Sequence, residues 1–242
     1  MAIGSVRDMD VVLIPGFWLD ASSWAQVTPV LEEAGHTVHP LTLPGLESKD
    51  ANRSEIGFAD HVSAVVAAID ALPGAVALVG HSGGGSIASG AADARPDRVA
   101  HVIYVDSGPI SEGGAINDGL TAVDGEVPLP DWSEFDESDL AGLTDELRDE
   151  FRARAIPEPA RVTSDRAHLT DERRYRVPST VISCTMPQQV FDQLIEQGHP
   201  YVAEFARMER RRMVELPTGH WPQFSRPQEL GAAIVAALAD AP

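Results

Sequence analysis

Short runs of apolar, mostly β-branched residues alternate along this chain with longer segments in which apolar positions recur at helical spacing. Each run ends at a polar or glycine-containing turn, and each predicts a strand. Continuous apolar strands separated by helices are typical of a parallel sheet that is covered on both faces. The predicted strands span residues 11–14, 38–43, 75–79, 99–105, 180–184 and 213–216.

The segments between these runs predict helices that pack on the sheet. The first begins at Ser22 or Ser23, either of which can cap it, and ends near Glu33. The others cover residues 58–72, 83–95 and 230–238. The predicted fold class is therefore α/β, with a mostly parallel, doubly wound sheet of about six strands.

Residues 106–177 interrupt this alternation, because no strand is evident there. Thirteen acidic residues and one basic residue lie between Glu112 and Glu150. A structureless loop of this length is uncommon in a compact domain. Apolar residues at helical spacing predict a helix over 137–155, and a disordered acidic insert is the alternative. We expect residues 111–176 to form a helical cap, inserted after the fourth strand into a core of residues 1–110 and 177–242.

Composition and charge exclude several kinds of binding partner and site. The net charge of −19 repels phosphate backbones and anionic lipids, so neither nucleic acid nor a membrane is an expected partner. The single cysteine, Cys184, excludes an intramolecular disulfide and a cysteine-rich zinc site. Residues 1–10 lack the apolar core of a signal peptide, so we expect a soluble, cytoplasmic protein. Nothing in the sequence indicates the oligomeric state.

The sequence Gly80-His81-Ser82-Gly83-Gly84 joins the third predicted strand directly to a helix. This is the G-x-S-x-G pattern between a strand and a helix, which is the arrangement of a nucleophilic serine. The sharp turn there exposes the Ser82 hydroxyl at the sheet edge. A developing oxyanion would be stabilised there by backbone N–H groups at the helix N-terminus. The alternative is a simple Gly-Ser turn at a helix start.

A nucleophilic serine needs a base and an oxyanion hole. His220 follows the last predicted strand, where open α/β sheets place their sites, and it is the candidate base. The N–H of Phe17, after the first strand, pairs naturally with that of Gly83 as the oxyanion donors. Trp18 and Trp221 are candidate pocket residues, although Phe17 and Trp18 could equally be core aromatics.

These motifs, in this order, resemble those of the α/β-hydrolase superfamily, in particular compact serine esterases related to plant methylesterases and hydroxynitrile lyases. The resemblance covers nearly the whole chain except residues 111–176. The segments that carry it are Pro15 to Trp24, Leu43-Pro44-Gly45, Gly80 to Gly84, Gly219 to Pro222 and Arg226 to Leu230.

Two positions depart from the family pattern. Pro15 stands where the oxyanion segment usually has histidine, which leaves the backbone donor intact. The usual place of the triad acid reads Thr185-Met186-Pro187-Gln188 and holds no carboxylate. We predict instead that Asp106 is the acid, because it ends the strand that should lie beside the nucleophile strand. Asp192 is the competitor, and a plain turn-capping role for Asp106 is the other interpretation.

The expected function is hydrolysis of a small-molecule carboxylic ester, or of a thioester or lactone, through an acyl-enzyme on Ser82. No ligand cluster points to a metal or an organic cofactor. One alternative is a lyase of the hydroxynitrile type, which the resemblance associates with a lysine near the histidine, whereas the only lysine here is the remote Lys49. The other is a non-catalytic protein that binds small molecules on the same fold.

Overall fold

A computed structural model describes residues 8–239 of the chain. The expected core also includes residues 1–7 and 240–242, which lie outside the described residues. Most of residues 1–10, for which we expect no signal peptide, therefore lies outside them too. The strands are β1 (Asp10–Ile14), β2 (Thr37–Pro40), β3 (Val76–His81), β4 (Val99–Val105), β5 (Glu126–Val127), β6 (Glu158–Pro159), β7 (Ser179–Ser183) and β8 (Arg211–Glu215).

Six of these strands form one parallel sheet in the order β2-β1-β3-β4-β7-β8, which confirms the predicted fold class.

No helix within residues 8–239 is both long and apolar enough to cross a membrane. The helices are α1 (Thr28–Glu33), α2 (Phe58–Ala71), α3 (Gly83–Ala94), α4 (Asp145–Arg154), α5 (Ala160–Ser164), α6 (Gln188–Glu196), α7 (Ala203–Arg207), α8 (Pro222–Ser225) and α9 (Pro227–Ala239), with 3-10 turns at Ala21–Trp24, Trp132–Glu134, Glu172–Arg176 and Pro200–Val202.

Successive residues of each central strand face opposite sides of the sheet and bury both sides. Val12 packs in a cluster with Ile69 of α2, on the face that also carries α3 and α6. Its neighbour Leu13 packs in a separate cluster with Ile234 of α9, on the face that carries α1. Burial on both faces explains why these strands read as unbroken apolar runs instead of alternating ones.

Two predicted elements differ from the structure near the N-terminus. The helix expected from Ser22 or Ser23 to Glu33 is split into the 3-10 turn Ala21–Trp24 and the short α1. Asp20 caps the turn, because its carboxylate accepts the Ser22 N–H at 2.8 Å, so neither serine is the cap. Strand β2 ends at Pro40, three residues earlier than the expected end at Leu43.

The segment between β4 and β7 contains helices, as expected, but with different limits. Helix α4 begins at Asp145, since the Thr144 hydroxyl caps it by accepting the Leu147 N–H, so the helix predicted from Glu137 was too long. Leu140 and Leu143 precede that helix and are nevertheless buried. The segment also contains the antiparallel pair β5–β6, which was not predicted because two-residue strands carry no readable periodicity.

This inserted segment packs closely on the sheet. Ile156 and Leu169 belong to the same hydrophobic cluster as Val12 of β1. Near the end of the segment, the buried Arg174 lies 3.2 Å from Asp93 of α3 and also 3.2 Å from Glu204 of α7. Parts of the insertion therefore contribute to the core of the molecule.

Strand β3 passes into α3 with the two elements in close contact. A Cβ atom at Gly80 would lie 2.4 Å from the backbone oxygen of Gly84, and one at Gly84 would lie 2.4 Å from the oxygen of Pro15. Both obstacles are backbone atoms, which cannot rotate away as a side chain could. Only glycine fits at either position without moving a sheet strand or α3.

We predict that Gly80→Ala lowers the free energy of unfolding by about 2 kcal/mol or more, as expected for overpacking of a closely packed site. Gly74→Ala is the matched control, because a Cβ there has no atom within 4 Å, and it should leave the stability unchanged or raise it slightly. Urea denaturation followed by circular dichroism measures both. Equal stabilities of the two variants would contradict the steric explanation.

Candidate active site

The residues with candidate chemistry meet at the carboxyl edge of the sheet. Ser82 follows β3, Asp106 follows β4, and His220 lies in the loop after β8. Because all six strands are parallel, these ends lie at the same edge, where open α/β sheets place their sites. Residues far apart in sequence are thus brought together by sheet order alone.

Ser82 occupies a backbone conformation that L-residues rarely adopt, with φ 51° and ψ −125°. The adjacent strand supports this conformation, since the Ser82 N–H donates to the Val105 oxygen at 3.1 Å and the Ser107 hydroxyl donates to the Ser82 oxygen at 2.7 Å. A strained residue held this firmly by its surroundings is a feature of functional sites. The strain places the Ser82 hydroxyl at the start of α3 and open to the cavity described below.

A continuous chain of hydrogen bonds joins the three side chains. His220 Nδ1 lies 2.6 Å from Asp106 Oδ2, and His220 Nε2 lies 2.8 Å from Ser82 Oγ. A carboxylate only accepts, so the imidazole proton sits on Nδ1 and the Nε2 lone pair faces the Ser82 hydroxyl. This tautomer is the one that can take a proton from the serine.

The Asp106 carboxylate is held from several directions. Its Oδ1 accepts the N–H groups of Cys184 and Thr185 at 2.8 and 3.0 Å, and the Thr185 hydroxyl lies 3.1 Å from both oxygens. Burial acts to raise the pKa of this carboxyl, but hydrogen bonds and charge from His220, with these two N–H groups, outweigh burial and hold the pKa below its ordinary value. Asp106 therefore stays ionised beside His220.

The competing acid lies elsewhere. Asp192 is on α6 with an exposed side chain, whereas only 6% of the Asp106 side chain is exposed. At the usual position of the family's acid, Thr185 now donates hydrogen bonds to the carboxylate supplied by the neighbouring strand. The structure thus brings Asp106 to His220 and leaves Asp192 outside the cluster.

His81, next to Ser82 in sequence, supports the loop that carries His220. Its Nε2–H donates to the backbone oxygen of His220 at 2.7 Å, and its Nδ1 accepts from the Gln223 amide at 3.1 Å. Burial, together with the charge of His220, lowers the pKa of His81 to about 3, so this ring stays neutral. Sequence reasoning missed this role, and the only available signal was the position of His81 beside Ser82.

The two candidate oxyanion residues lie together. The Phe17 ring packs so closely on Gly83 that a Cβ there would lie 2.6 Å from Phe17 Cε1. Gly83 is the first residue of α3, so its N–H has no partner within the helix. Both residues line the same cavity as Ser82 and His220.

That cavity has a volume of about 550 Å³ and opens above Ser82. Both predicted pocket residues, Trp18 and Trp221, line it. Asp139, which was not predicted, lines it from the inserted segment and accepts the His220 N–H through its backbone oxygen at 2.8 Å. Burial raises the pKa of the Asp139 carboxyl, with His220 opposing and Asp106 and Asp136 adding to the rise.

Within residues 8–239, no group of three or more His, Cys, Asp or Glu side chains is arranged to hold a metal ion. The only lysine of the chain, Lys49, donates from Nζ to the Ala153 oxygen at 2.7 Å and is not among the residues that line the cavity.

Comparison with known proteins agrees with this architecture. A pyrethroid hydrolase from Sphingobium wenxiniae is 27% identical over 257 residues, covering 96% of this chain and 88% of that protein. Methylesterase 8 from Arabidopsis thaliana is 33% identical over a shorter stretch, 40% of this chain and 36% of that protein. Among solved structures, an extracellular alpha/beta-hydrolase from a Paenibacillus species superposes with a TM-score of 0.77 at 22% identity, covering 95% of this chain and 98% of that chain.

The family described as "Alpha/beta hydrolase family" matches residues 11–233, a range that includes all but the first residue of the sheet, the inserted segment and the first half of α9. The resemblance drawn from the motifs is thereby confirmed, and this chain belongs to the alpha/beta hydrolase family.

Proposed function

We propose that this esterase-type hydrolase is a serine hydrolase that cleaves a small-molecule carboxylic ester through an acyl-enzyme on Ser82. The observation that carries the proposal is the unbroken chain from Ser82 Oγ through His220 to Asp106, with distances of 2.8 and 2.6 Å, at the floor of a cavity of about 550 Å³. Nucleophile, base and orienting carboxylate stand in the geometry that acyl transfer requires.

In the first half-reaction, His220 Nε2 takes the Ser82 proton as Oγ attacks the ester carbonyl. The carbonyl electron pair moves to oxygen, where the N–H groups of Phe17 and Gly83 stabilise the oxyanion of the tetrahedral intermediate. Collapse of that intermediate breaks the bond to the alkoxy oxygen, and His220 gives its proton to the departing alcohol. The acyl group is left on Ser82.

Water completes the reaction. It attacks the acyl carbonyl while His220 Nε2 takes its proton, and the second tetrahedral intermediate releases the carboxylic acid and returns the proton to Ser82 Oγ. In both halves the Asp106 carboxylate holds the His220 ring in one tautomer and stabilises the imidazolium that forms. No further reactant is required.

Residues 111–176 act as a cap on a core of residues 1–110 and 177–242. In support, the insertion supplies Leu120, Phe135 and Asp139 to the cavity, while Trp18 and Trp221 line it from the loops of the sheet. These aromatic and aliphatic side chains give the cavity an apolar wall beside its polar groups, which suits an ester with an apolar acyl or alcohol group.

The names of the relatives are consistent with ester cleavage, since both a pyrethroid hydrolase and a methylesterase are among them. The lyase alternative has no comparable support, because Lys49 bonds to Ala153 and does not line the cavity. A purely binding function would not require the hydrogen-bonded alignment of Ser82, His220 and Asp106. Covalent labelling separates these possibilities.

We predict that a fluorophosphonate labels the wild-type protein rapidly and that Ser82→Ala abolishes the labelling. Ser82→Ala and His220→Ala should each lower kcat for a p-nitrophenyl ester by a similar factor, on the order of 10⁴- to 10⁶-fold, and the double variant should be hardly worse, because the two residues act as one unit. Labelling gels and steady-state kinetics provide the measurements.

Ser63→Ala serves as the matched serine control, since Ser63 is exposed on α2 and its hydroxyl bonds to Ala59 of the same helix. It should keep wild-type labelling and kcat. A protein that folds but is not labelled, or a double variant whose loss is the product of the two single losses, would contradict the proposal.

We predict that Asp106→Asn lowers kcat by at least about a thousandfold, because an amide in this place would favour the wrong tautomer of His220. Asp192→Asn is the matched control and should change kcat little, since its side chain is exposed on α6. Circular dichroism checks that both variants fold. The reverse order of activity would show that the acid lies on the later strand.

A further inference from the structure

The backbone of Trp18, directly after the proposed oxyanion donor Phe17, is held in an unusual conformation. Its φ is 65°, in the left-handed region that a bulky side chain disfavours. Such a conformation persists only where the surroundings impose it. The orientation of the Phe17–Trp18 and Trp18–Leu19 peptides therefore depends on whatever holds Trp18. The Leu19 N–H in turn donates to the oxygen of the Gly16–Phe17 peptide at 3.3 Å.

Three hydrogen bonds from the inserted segment hold this residue. The Trp18 N–H donates to Glu158 Oε2 at 3.2 Å, and the Trp18 oxygen accepts the Ile156 N–H at 3.0 Å. The indole N–H donates to the Val127 oxygen at 3.1 Å. Of these partners only Glu158 acts through a side chain, so it can be changed without altering the backbone.

Glu158 is enclosed on every side. Its side chain is 1% exposed, and its Oε1 lies 3.8 Å from Nδ1 of the equally buried His61 on α2. His61 Nε2–H donates to the Pro44 oxygen at 2.8 Å, so Nδ1 carries the lone pair that faces Glu158. Arg53, which pairs with Glu126 of β5 at 2.7 Å, is the charge that acts on Glu158, and Asp60 and Glu47 act on His61.

Both members of this buried pair favour their neutral forms. Burial raises the pKa of the Glu158 carboxyl to about 8, against the opposing effects of the Trp18 N–H and the Arg53 charge. Burial likewise lowers the pKa of His61 to about 4, although the hydrogen bond to Pro44 and nearby acids oppose it. At neutral pH, Glu158 is thus a carboxylic acid that accepts the Trp18 N–H with one oxygen and directs the other toward His61.

We propose that Glu158 is a positioning residue for ester hydrolysis. By holding Trp18 it restrains the Gly16 to Leu19 turn, whose Gly16–Phe17 peptide carries the Phe17 N–H, and so keeps that N–H directed at the reacting carbonyl. This inference rests on the function proposed above. Through Glu158, the inserted segment does more than line the cavity. It also holds the loop of Phe17 and Trp18 in the conformation that the proposed reaction requires. A loop free to turn would stabilise the transition state less without changing how the substrate first binds.

The test compares Glu158→Ala and Glu158→Gln with the wild type and with Glu137→Ala, a control at an exposed carboxylate of the same insertion. Losing one oxyanion donor lowers kcat by roughly 10²- to 10³-fold, so its misplacement in Glu158→Ala should lower kcat about 10- to 100-fold. KM should stay within about twofold, because the lost interaction belongs to the transition state. Fluorophosphonate labelling, which passes through a similar oxyanion, should slow in parallel.

Glu158→Gln is the informative rescue variant, because its amide oxygen still accepts the Trp18 N–H but the group does not titrate. Its kcat at pH 7 should be within about threefold of the wild type, well above that of Glu158→Ala. An ionised Glu158 would also accept the Trp18 N–H, so the readout of the role is the loss of kcat at constant KM in Glu158→Ala and its rescue in Glu158→Gln.

The outcomes separate the two proposals. If the wild-type protein is not labelled at Ser82, the serine-hydrolase function fails and this inference fails with it. If the wild type is labelled but Glu158→Ala matches Glu137→Ala, or if its loss lies in KM alone, only the role of Glu158 is overturned. If Glu158→Ala does not fold, Glu158→Gln decides, because a loss of kcat of tenfold or more in a variant that keeps the acceptor would overturn the role.

Discussion

The hydrogen bond between His220 and Asp106 is the interaction on which the proposed chemistry of this molecule depends. At 2.6 Å it sets the imidazole tautomer, and so it determines that a lone pair faces the Ser82 hydroxyl. The two residues are 114 positions apart, and only the sheet order brings them together. Asp106 follows β4, beside the strand that carries Ser82, while the chain after β7 contributes donors to hold it.

The inserted segment contacts the candidate site on both sides of Ser82. On one side it fixes Trp18 through Glu158, and on the other the Asp139 oxygen accepts the His220 N–H at 2.8 Å. Gly219 approaches this segment so closely that a Cβ there would lie 2.4 Å from the same oxygen. The proposed base, His220, and the loop of Phe17 and Trp18 are therefore both anchored to the insertion, which also lines the cavity.

The central sheet was predictable because strands buried on both faces appear as unbroken apolar runs, and β4 was located with its observed limits. Ser82 and His220 followed from a strand–turn–helix motif and from a histidine after the last strand. Asp106 could be selected by the topology alone, since it ends the strand next to the nucleophile strand. The structure places its carboxylate beside His220 as that reasoning expected.

Other features depend on contacts that the sequence does not encode locally. Glu158 sits in a two-residue strand, and its importance comes from burial against His61 and Trp18, 97 and 140 residues away. The early start predicted for α4 has a simpler cause, because apolar spacing continues through Leu140 and Leu143 although the Thr144 cap starts the helix after them. Burial without helical structure gives the same spacing signal as a helix.

The proton shared by His220 and Asp106 can be observed directly. A proton on Nδ1 of a histidine bonded to a buried carboxylate gives a far-downfield signal in one-dimensional proton NMR, and His220→Ala would assign it. We expect this signal in the wild type and in Asp192→Asn, and its loss in Asp106→Asn. A signal that persists in Asp106→Asn but disappears in Asp192→Asn would contradict the assignment of Asp106 as the partner of His220.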